Sequence, residues 1–159
     1  MTGDGLARAV ADRETVMLGP TRVAFLLGGA DTAGALSLTE FVMAPPPAPG
    51  PPLHVHTVEE ETIYLLDGRL SVTLRERITD LSDGAVAHIP KGVPHTLANL
   101  GPGSARLLII QSPPGAERYW AKAAELIATS NGNPDPDRMQ QLARDHHIHF
   151  QQPRRFTET

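Results

Sequence analysis

The sequence contains no cysteine, which excludes disulfide frameworks, thiolate catalysis and metal sites built on cysteine ligands. It also lacks any apolar run approaching the roughly 18 residues of a membrane span, and its amino terminus has no apolar segment typical of signal peptides. We therefore expect a cytoplasmic protein with no membrane partner.

Basic stripes are missing as well. The chain has 14 basic and 18 acidic residues, giving a formal net charge of -4, and no segment interleaves lysine or arginine with aromatic residues. Proteins that bind nucleic acids attract the phosphate backbone with clustered positive charge. We therefore expect no nucleic-acid partner.

Turn-forming residues are abundant, with 15 prolines and 14 glycines in 159 residues. A chain of this length supports one hydrophobic core, and frequent turns favour short strands over long helices. Apolar runs between the turns predict eight or more closely spaced strands, the pattern of an antiparallel barrel or sandwich. These runs lie within residues 16–27, 36–43, 53–66, 69–81, 86–90, 96–100 and 106–111.

The pattern changes after Pro113, where apolar residues follow a helical period. Helices are predicted at 116–129 and at 136–146, the second with Asp135 as its N-cap. We expect them to pack against the outside of the sheet. The chain then divides into a flexible arm at 1–15, a β-barrel at 16–112 and a helical extension of the same domain at 113–159.

The segment LHVHTVEEETIYLLDG at 53–68 carries the first candidate site. His54 and His56 are two residues apart in a predicted strand, so they point to the same face, separated by two rises of roughly 3.3 Å each. Two imidazoles at this separation can converge on one ion. The spacing therefore indicates a pair of metal ligands.

Three glutamates follow this pair. The turn signal Asp67-Gly68 predicts a hairpin that brings Glu59, Glu60 and Glu61 beside the histidine strand, within reach of a metal. Period-two alternation does not choose between Glu60 and Glu61, because either choice leaves an acceptable apolar face.

Proline-rich segments precede two of the histidines. The tract APPPAPGPP at 44–52 predicts a stiff, extended loop that delivers the histidine strand, an interpretation favoured over a proline-rich recognition tract. The segment IPKGVPH at 89–95 forces a tight turn immediately before His95.

Two sets of residues resemble the paired motifs of the cupin superfamily. The first motif is matched by Gly50, His54, His56, Glu61 and Gly68. The second is matched by Gly84, Pro90, Gly92, His95 and Asn99. The spacer PPL before His54 is shorter than the usual five residues, and the flanking segments resemble single-domain cupins related to quercetinases.

The resemblance implies a cupin jelly roll, which is a double-stranded β-helix barrel, and a metal held by His54, His56, Glu61 and His95. The six-residue spacing to Gly68 selects Glu61, with Glu60 in reserve. Three imidazoles and one carboxylate suit divalent iron, nickel, manganese, cobalt or zinc. The resemblance also implies a homodimer.

Three classes of function follow from this ligand set. The first is a dioxygenase-like enzyme acting on a small organic substrate in the barrel, with Glu61 able to act as a base. The second is a non-redox isomerase, cyclase or lyase that uses the ion as a Lewis acid. The third is a small-molecule-binding module without catalysis.

Other residues have two interpretations each. His88 either faces the barrel interior, where it would support the metal ligands or transfer a proton, or is a structural histidine with its own hydrogen bonds. The structural role is favoured. Candidate pocket walls, which also suit an ordinary core, are Phe41, Met43, Tyr64 and Gln111. Three further histidines suggest either a second metal site or interactions at a helix end, the favoured role, and these are His146, His147 and His149.

Overall fold

The computed structural model describes residues 5–151, which form strands β1–β11, a short 3-10 helix at Val10–Asp12, and helices α1 and α2. The strands β1 to β11 are, in chain order, Glu14–Leu18, Thr21–Leu27, Ser37–Met43, His54–His56, Glu60–Asp67, Leu70–Leu74, Arg77–Leu81, Val86–Ile89, His95–Asn99, Ala105–Ser112 and Ile148–Phe150. The helices are Ala116–Thr129 (α1) and Pro136–Asp145 (α2).

The strands form two antiparallel sheets. One has the order β1-β2-β3-β10-β5-β8 and the other β11-β4-β9-β6-β7. Along β5 and β10 every second residue is buried, because successive side chains of a strand point to opposite faces. The inward residues form the core, which includes Ile63, Leu65, Leu70, Val72, Leu97, Leu107 and Ile109. The strand pattern predicts an antiparallel barrel or sandwich, and the structure is the jelly-roll barrel that the family resemblance implies.

The predicted helices are confirmed. Helix α1 spans the residues that its apolar period indicates, and α2 ends one residue earlier than predicted. Asp135 caps α2, since its Oδ1 accepts a hydrogen bond of 2.9 Å from the backbone N–H of Asp137. Neither helix within residues 5–151 is long and apolar enough to cross a membrane.

The helix pair lies outside the two sheets, as predicted, and connects their edges. Helix α1 contacts β1, the edge of the first sheet, whereas α2 contacts β11, the edge of the second. The ring of Trp120 packs edge-to-face on that of Phe41, with 4.8 Å between the ring centroids. Since Phe41 lies in β3, the helices close one side of the barrel.

One prediction about pairing is wrong. The turn Asp67-Gly68 closes no hairpin, because β5 pairs with β10 and β8 in one sheet, whereas β6 pairs with β7 and β9 in the other. The histidine strand β4 belongs to the second sheet, where it pairs with β9 and β11. The glutamates therefore face the histidine strand across the barrel rather than beside it. The sequence also gives no sign of β11, a three-residue strand whose formation depends on its partner β4.

Strand β1 begins at Glu14, two residues before the predicted start of the barrel at residue 16. Before it, the guanidinium of Arg8 donates a hydrogen bond of 2.6 Å to the carbonyl of Leu26 and pairs with Asp31 at 3.3 Å. The first four residues of the predicted arm and the last eight of the chain lie outside the described residues.

Candidate metal centre

Three buried histidines converge inside the barrel. His54 on β4 is the register partner of His95 on β9, and His56 follows two residues after His54 on the same face. Each offers a ring nitrogen, and these nitrogens all lie within 4.8 Å of one another. The spacing therefore places the pair on one face, and the fold brings beside it the third imidazole that the resemblance implies.

Backbone carbonyls orient two of the rings. Nδ1 of His54 donates a hydrogen bond of 2.8 Å to the carbonyl of Pro52, and Nδ1 of His95 donates one of 2.9 Å to the carbonyl of Val93. Because a carbonyl only accepts, the proton is on Nδ1 and the lone pair is on Nε2.

The surroundings of the Nε2 atom of His95 indicate whether these residues suit a metal. It is buried, and none of the residues that the structure describes gives it a hydrogen bond. A buried polar atom without a partner costs free energy, which a metal bond removes. The donor set therefore fits a divalent transition metal.

The electrostatic environment keeps the imidazoles in the form that binds metals. Burial, together with the neighbouring His95 and His56, lowers the pKa of His54 to about 3. Burial also lowers the pKa of His95, against the opposing effect of Glu61. A metal binds only the neutral ring, so these two histidines need not lose a proton first at neutral pH.

Glu61 faces the histidines from β5. Its Oε1 lies 3.7 Å from Nε2 of His95, and its Oε2 lies 3.7 Å from Nε2 of His56. The adjacent Glu60 points outward with a side chain 51% exposed, so the structure orients Glu61 and not Glu60 towards the site. Its role as fourth ligand stays a prediction.

His88 does not face the barrel interior. Its side chain is 55% exposed, and its Nδ1 is hydrogen-bonded to the hydroxyl of Thr62 at 3.0 Å. His88 and Val86 share one face of β8, and both are exposed, so this face is the outer one. Tyr64 is paired with Val86 and 39% exposed, so its assignment to the pocket wall is also wrong.

A cavity of about 330 Å³ extends from His54 and His56 to the helices. Phe41 and Met43 line it, as predicted, whereas Gln111 is fully buried beside Glu61 and does not. Most other wall side chains are apolar or aromatic, including Leu18, Leu97, Ile109, Tyr119, Trp120, Ala123, Ile127, Met139, Ile148 and Phe150.

The helical part of this wall was not predicted. Tyr119, Trp120, Ala123 and Ile127 belong to the apolar stripe that indicates α1, and the expectation is that this stripe packs on the sheet. An apolar period shows which face of a helix is covered, but it does not distinguish a packed core from a cavity wall.

The first glycine of the motif, Gly50, lies where the chain has no room for a side chain. A Cβ atom at this position would lie 1.9 Å from the carbonyl oxygen of Leu97, a separation that no side chain allows. Leu97 lies on β9, two residues after His95, so the proline-rich loop packs directly on the strand that carries this histidine.

The carboxy-terminal histidines are placed apart from the site. His146 is the C-cap of α2, the carbonyl of His147 accepts a hydrogen bond of 3.0 Å from the backbone of Thr57, and His149 is exposed on β11. Within residues 5–151, the one group of three or more candidate ligands consists of the barrel histidines.

Comparisons with known proteins agree with this description. Residues 41–111 match the model of the cupin domain family. An uncharacterised protein of Methanocaldococcus jannaschii is 34% identical over 62 residues, which cover 39% of this chain. The match spans only 50% of that relative's length.

Three solved structures illustrate the fold. The polyketide cyclase RemF of Streptomyces resistomycificus is 26% identical with a TM-score of 0.57, over 67% of this chain and 80% of that protein. An RmlC-like cupin of Shewanella frigidimarina is 18% identical with a TM-score of 0.58, over 74% and 99%. A cupin sugar phosphate isomerase of Silicibacter pomeroyi is 14% identical with a TM-score of 0.60, over 69% and 77%. The chain thus has the cupin fold, and the match of residues 41–111 to the cupin domain model supports a place in the cupin superfamily.

Proposed function

We propose that this chain is a metal-dependent enzyme that converts a small, largely apolar organic molecule by a non-redox reaction, such as a cyclisation, an isomerisation or an elimination. The observation that carries the proposal is the convergence of three buried imidazoles, two of which, those of His54 and His56, line a mostly apolar cavity. Ligand pockets typically combine apolar walls with a few convergent polar groups.

The ion would be held by His54, His56 and His95, with Glu61 as the fourth ligand. This donor set suits divalent iron, nickel, manganese, cobalt or zinc. When bound, the ion supplies Lewis-acid activation of a substrate carbonyl.

Glu61 is the residue suited to move a proton. Its carboxylate is buried, and Gln111 orients it through a hydrogen bond of 2.9 Å from its side-chain amide to Oε2. A carboxylate held in this way can accept a proton from a carbon or hydroxyl next to a substrate carbonyl. Glu61 would then return the proton at another position of the product.

Tyr119 supplies a neutral hydrogen-bond donor on the opposite wall. Burial raises the pKa of its phenol to about 12, so the hydroxyl stays protonated at neutral pH. Its hydroxyl contacts the Sδ of Met139 at 3.8 Å, and a thioether is a weak acceptor. A substrate oxygen would be a better acceptor, so Tyr119 is suited to orient the substrate.

The cavity walls indicate the class of substrate. The aromatic rings of Phe41, Tyr119, Trp120 and Phe150 surround the space beside the histidines, which favours a molecule with an aromatic or polyketone skeleton. The likeness to the polyketide cyclase RemF, at 26% identity, supports a cyclisation.

The dioxygenase reaction suggested by the quercetinase-like flanks would use the same four ligands. The two reactions differ in their need for oxygen and in the metals that sustain them. A dioxygenase consumes oxygen during turnover, whereas zinc should sustain a Lewis-acid reaction under anaerobic conditions.

The test is a comparison of zinc- and iron-loaded protein on aromatic diketones and a flavonol, with oxygen uptake recorded. The proposal expects anaerobic product formation with zinc, lost in His95→Ala and retained in His149→Ala, an exposed histidine outside the site. Turnover that always consumes oxygen would replace the proposal by the dioxygenase. Binding of these compounds without any product would indicate a binding module.

A further inference from the structure

Glu59 is a buried carboxylate to which the proposed reaction gives no role. It lies in the connection between β4 and β5, with 2% of its surface exposed. A buried carboxylate is costly unless its oxygens are paired. The groups that face the two carboxylate oxygens of Glu59 therefore indicate its role.

His56 is the exception among the three histidines. Nδ1 of His54 and Nδ1 of His95 donate to backbone carbonyls at 2.8 and 2.9 Å. Nδ1 of His56 is buried, and no described residue forms a hydrogen bond with it. The nearest carboxylate oxygen is Oε2 of Glu59, at 3.5 Å.

Oε2 of Glu59 is also buried without a hydrogen-bond partner among the described residues. Two complementary polar atoms thus face each other at 3.5 Å, beyond the roughly 2.9 Å of a charge-assisted hydrogen bond. A small adjustment of either side chain joins them. Each atom is the natural partner of the other.

The start of helix α1 leaves room for this carboxylate. A Cβ atom at Gly115, the N-cap of α1, would lie 2.7 Å from Oε1 of Glu59. The φ of Gly115 is 167°, outside the left-handed range that favours glycine, so what glycine supplies here is space. The absence of a side chain at 115 therefore keeps Glu59 against His56.

We propose that Glu59 is a positioning residue of the metal centre, which accepts a hydrogen bond from Nδ1–H of His56. This bond would fix the tautomer that leaves Nε2 free for the ion and would raise the basicity of the ring. Glu59 and Glu61 then lie on opposite nitrogens of one imidazole. The inference rests on the proposed metal centre.

The first measurement needs no metal. Nitrogen NMR of the His56 ring in metal-free protein, at a pH well above the ordinary imidazole pKa, reports which nitrogen carries the proton. We expect protonated Nδ1 in the wild type and in Glu59→Gln, whose side-chain oxygen still accepts. Glu59→Ala should shift the population towards protonated Nε2.

The second measurement is zinc affinity by chelator competition. Loss of a group that orients a metal-bound histidine typically weakens binding about 10- to 100-fold, which is the effect expected for Glu59→Ala. Glu59→Gln should recover part of the affinity. Gly115→Ala should weaken zinc binding without changing charge, and Glu60→Gln, on the exposed neighbour, should leave it unchanged.

The outcomes separate this inference from the metal centre itself. An unchanged His56 tautomer and unchanged zinc affinity in folded Glu59→Ala would overturn the positioning role while the metal centre stands. If the His56 tautomer shifts in Glu59→Ala while the wild type binds no metal, the hydrogen bond is supported and the metal centre is overturned. If Glu59→Ala does not fold, Gly115→Ala, whose added methyl group displaces the same carboxylate, provides the comparison.

Discussion

The side-chain amide of Gln111 donates a hydrogen bond of 2.9 Å to Oε2 of Glu61, and both side chains are buried. The register of β5 and β10 places the two residues directly opposite each other. Gln111 therefore holds the carboxylate where its oxygens lie 3.7 Å from Nε2 of His56 and of His95.

Replacing Gln111 by alanine should loosen this arrangement. Without the amide, Glu61 loses its orienting bond, and we expect metal affinity to fall about tenfold or more. Chelator competition with zinc measures the change, and Gln140→Ala, on an exposed residue of α2, serves as the control. Equal zinc affinities for wild type and Gln111→Ala would show that metal binding does not depend on the hydrogen bond from Gln111 to Glu61.

Asn99 should contribute to stability rather than to chemistry. Its amide donates to the carbonyls of Ala44 at 3.1 Å and Gly103 at 2.8 Å, and its oxygen accepts from the N–H of Gly101 at 2.9 Å. Because Asn99→Ala leaves these loop groups unpaired, we expect unfolding free energy to fall by about 2–3 kcal/mol. Urea denaturation measures it, with exposed Asn133→Ala as the control.

The predictable part of the site is its local geometry. Period-two spacing places His54 and His56 on one face, and the motif spacing selects Glu61 from three adjacent glutamates, as the inward orientation of Glu61 now supports. The bend before His95 is also local, since it depends on prolines and a glycine within five residues of that histidine. Such features need no knowledge of the partners of a strand.

The unpredictable part depends on contacts between distant segments. Alternation shows that His88 and Val86 share a face, but only the pairing of β8 with β5 shows that this face is outside. Strand β11 exists because β4 pairs with it, and Trp120 lines a cavity because α1 closes the barrel beside Phe41. None of these relationships lies within one stretch of sequence.

The stability of the metal-free protein should depend on pH through the barrel histidines. His54 has its ordinary pKa of 6.5 when unfolded and about 3 when folded, so between these values only the unfolded chain is protonated there. Its contribution is fully present above the ordinary pKa, and stability falls as the pH decreases from about 6.5 towards 3.

Denaturation with a chelator present, at several pH values in this window, measures the effect. The His54→Ala variant should show a shallower decline than the wild type, whereas His149→Ala should follow the wild type. Equal slopes for wild type and His54→Ala would contradict the lowered pKa.

Tyr119 should act on substrate binding. Loss of its hydroxyl in Tyr119→Phe removes one hydrogen bond of roughly 1 kcal/mol, so we expect affinity for an aromatic diketone to fall about three- to tenfold. Quenching of Trp120, the single tryptophan of the chain and part of the cavity wall, reports binding. Tyr64→Phe alters the other tyrosine, on the outer face, and should leave the affinity for the diketone unchanged.

The metal content of the purified protein tests the central claim most directly. Elemental analysis of protein prepared without chelator should find one divalent transition metal per chain in the wild type and in His149→Ala. His95→Ala should hold only background metal, because two imidazoles and one carboxylate bind far more weakly than the complete set. A wild-type protein that contains no metal and takes up none of iron, nickel, manganese, cobalt or zinc would contradict the proposed metal centre.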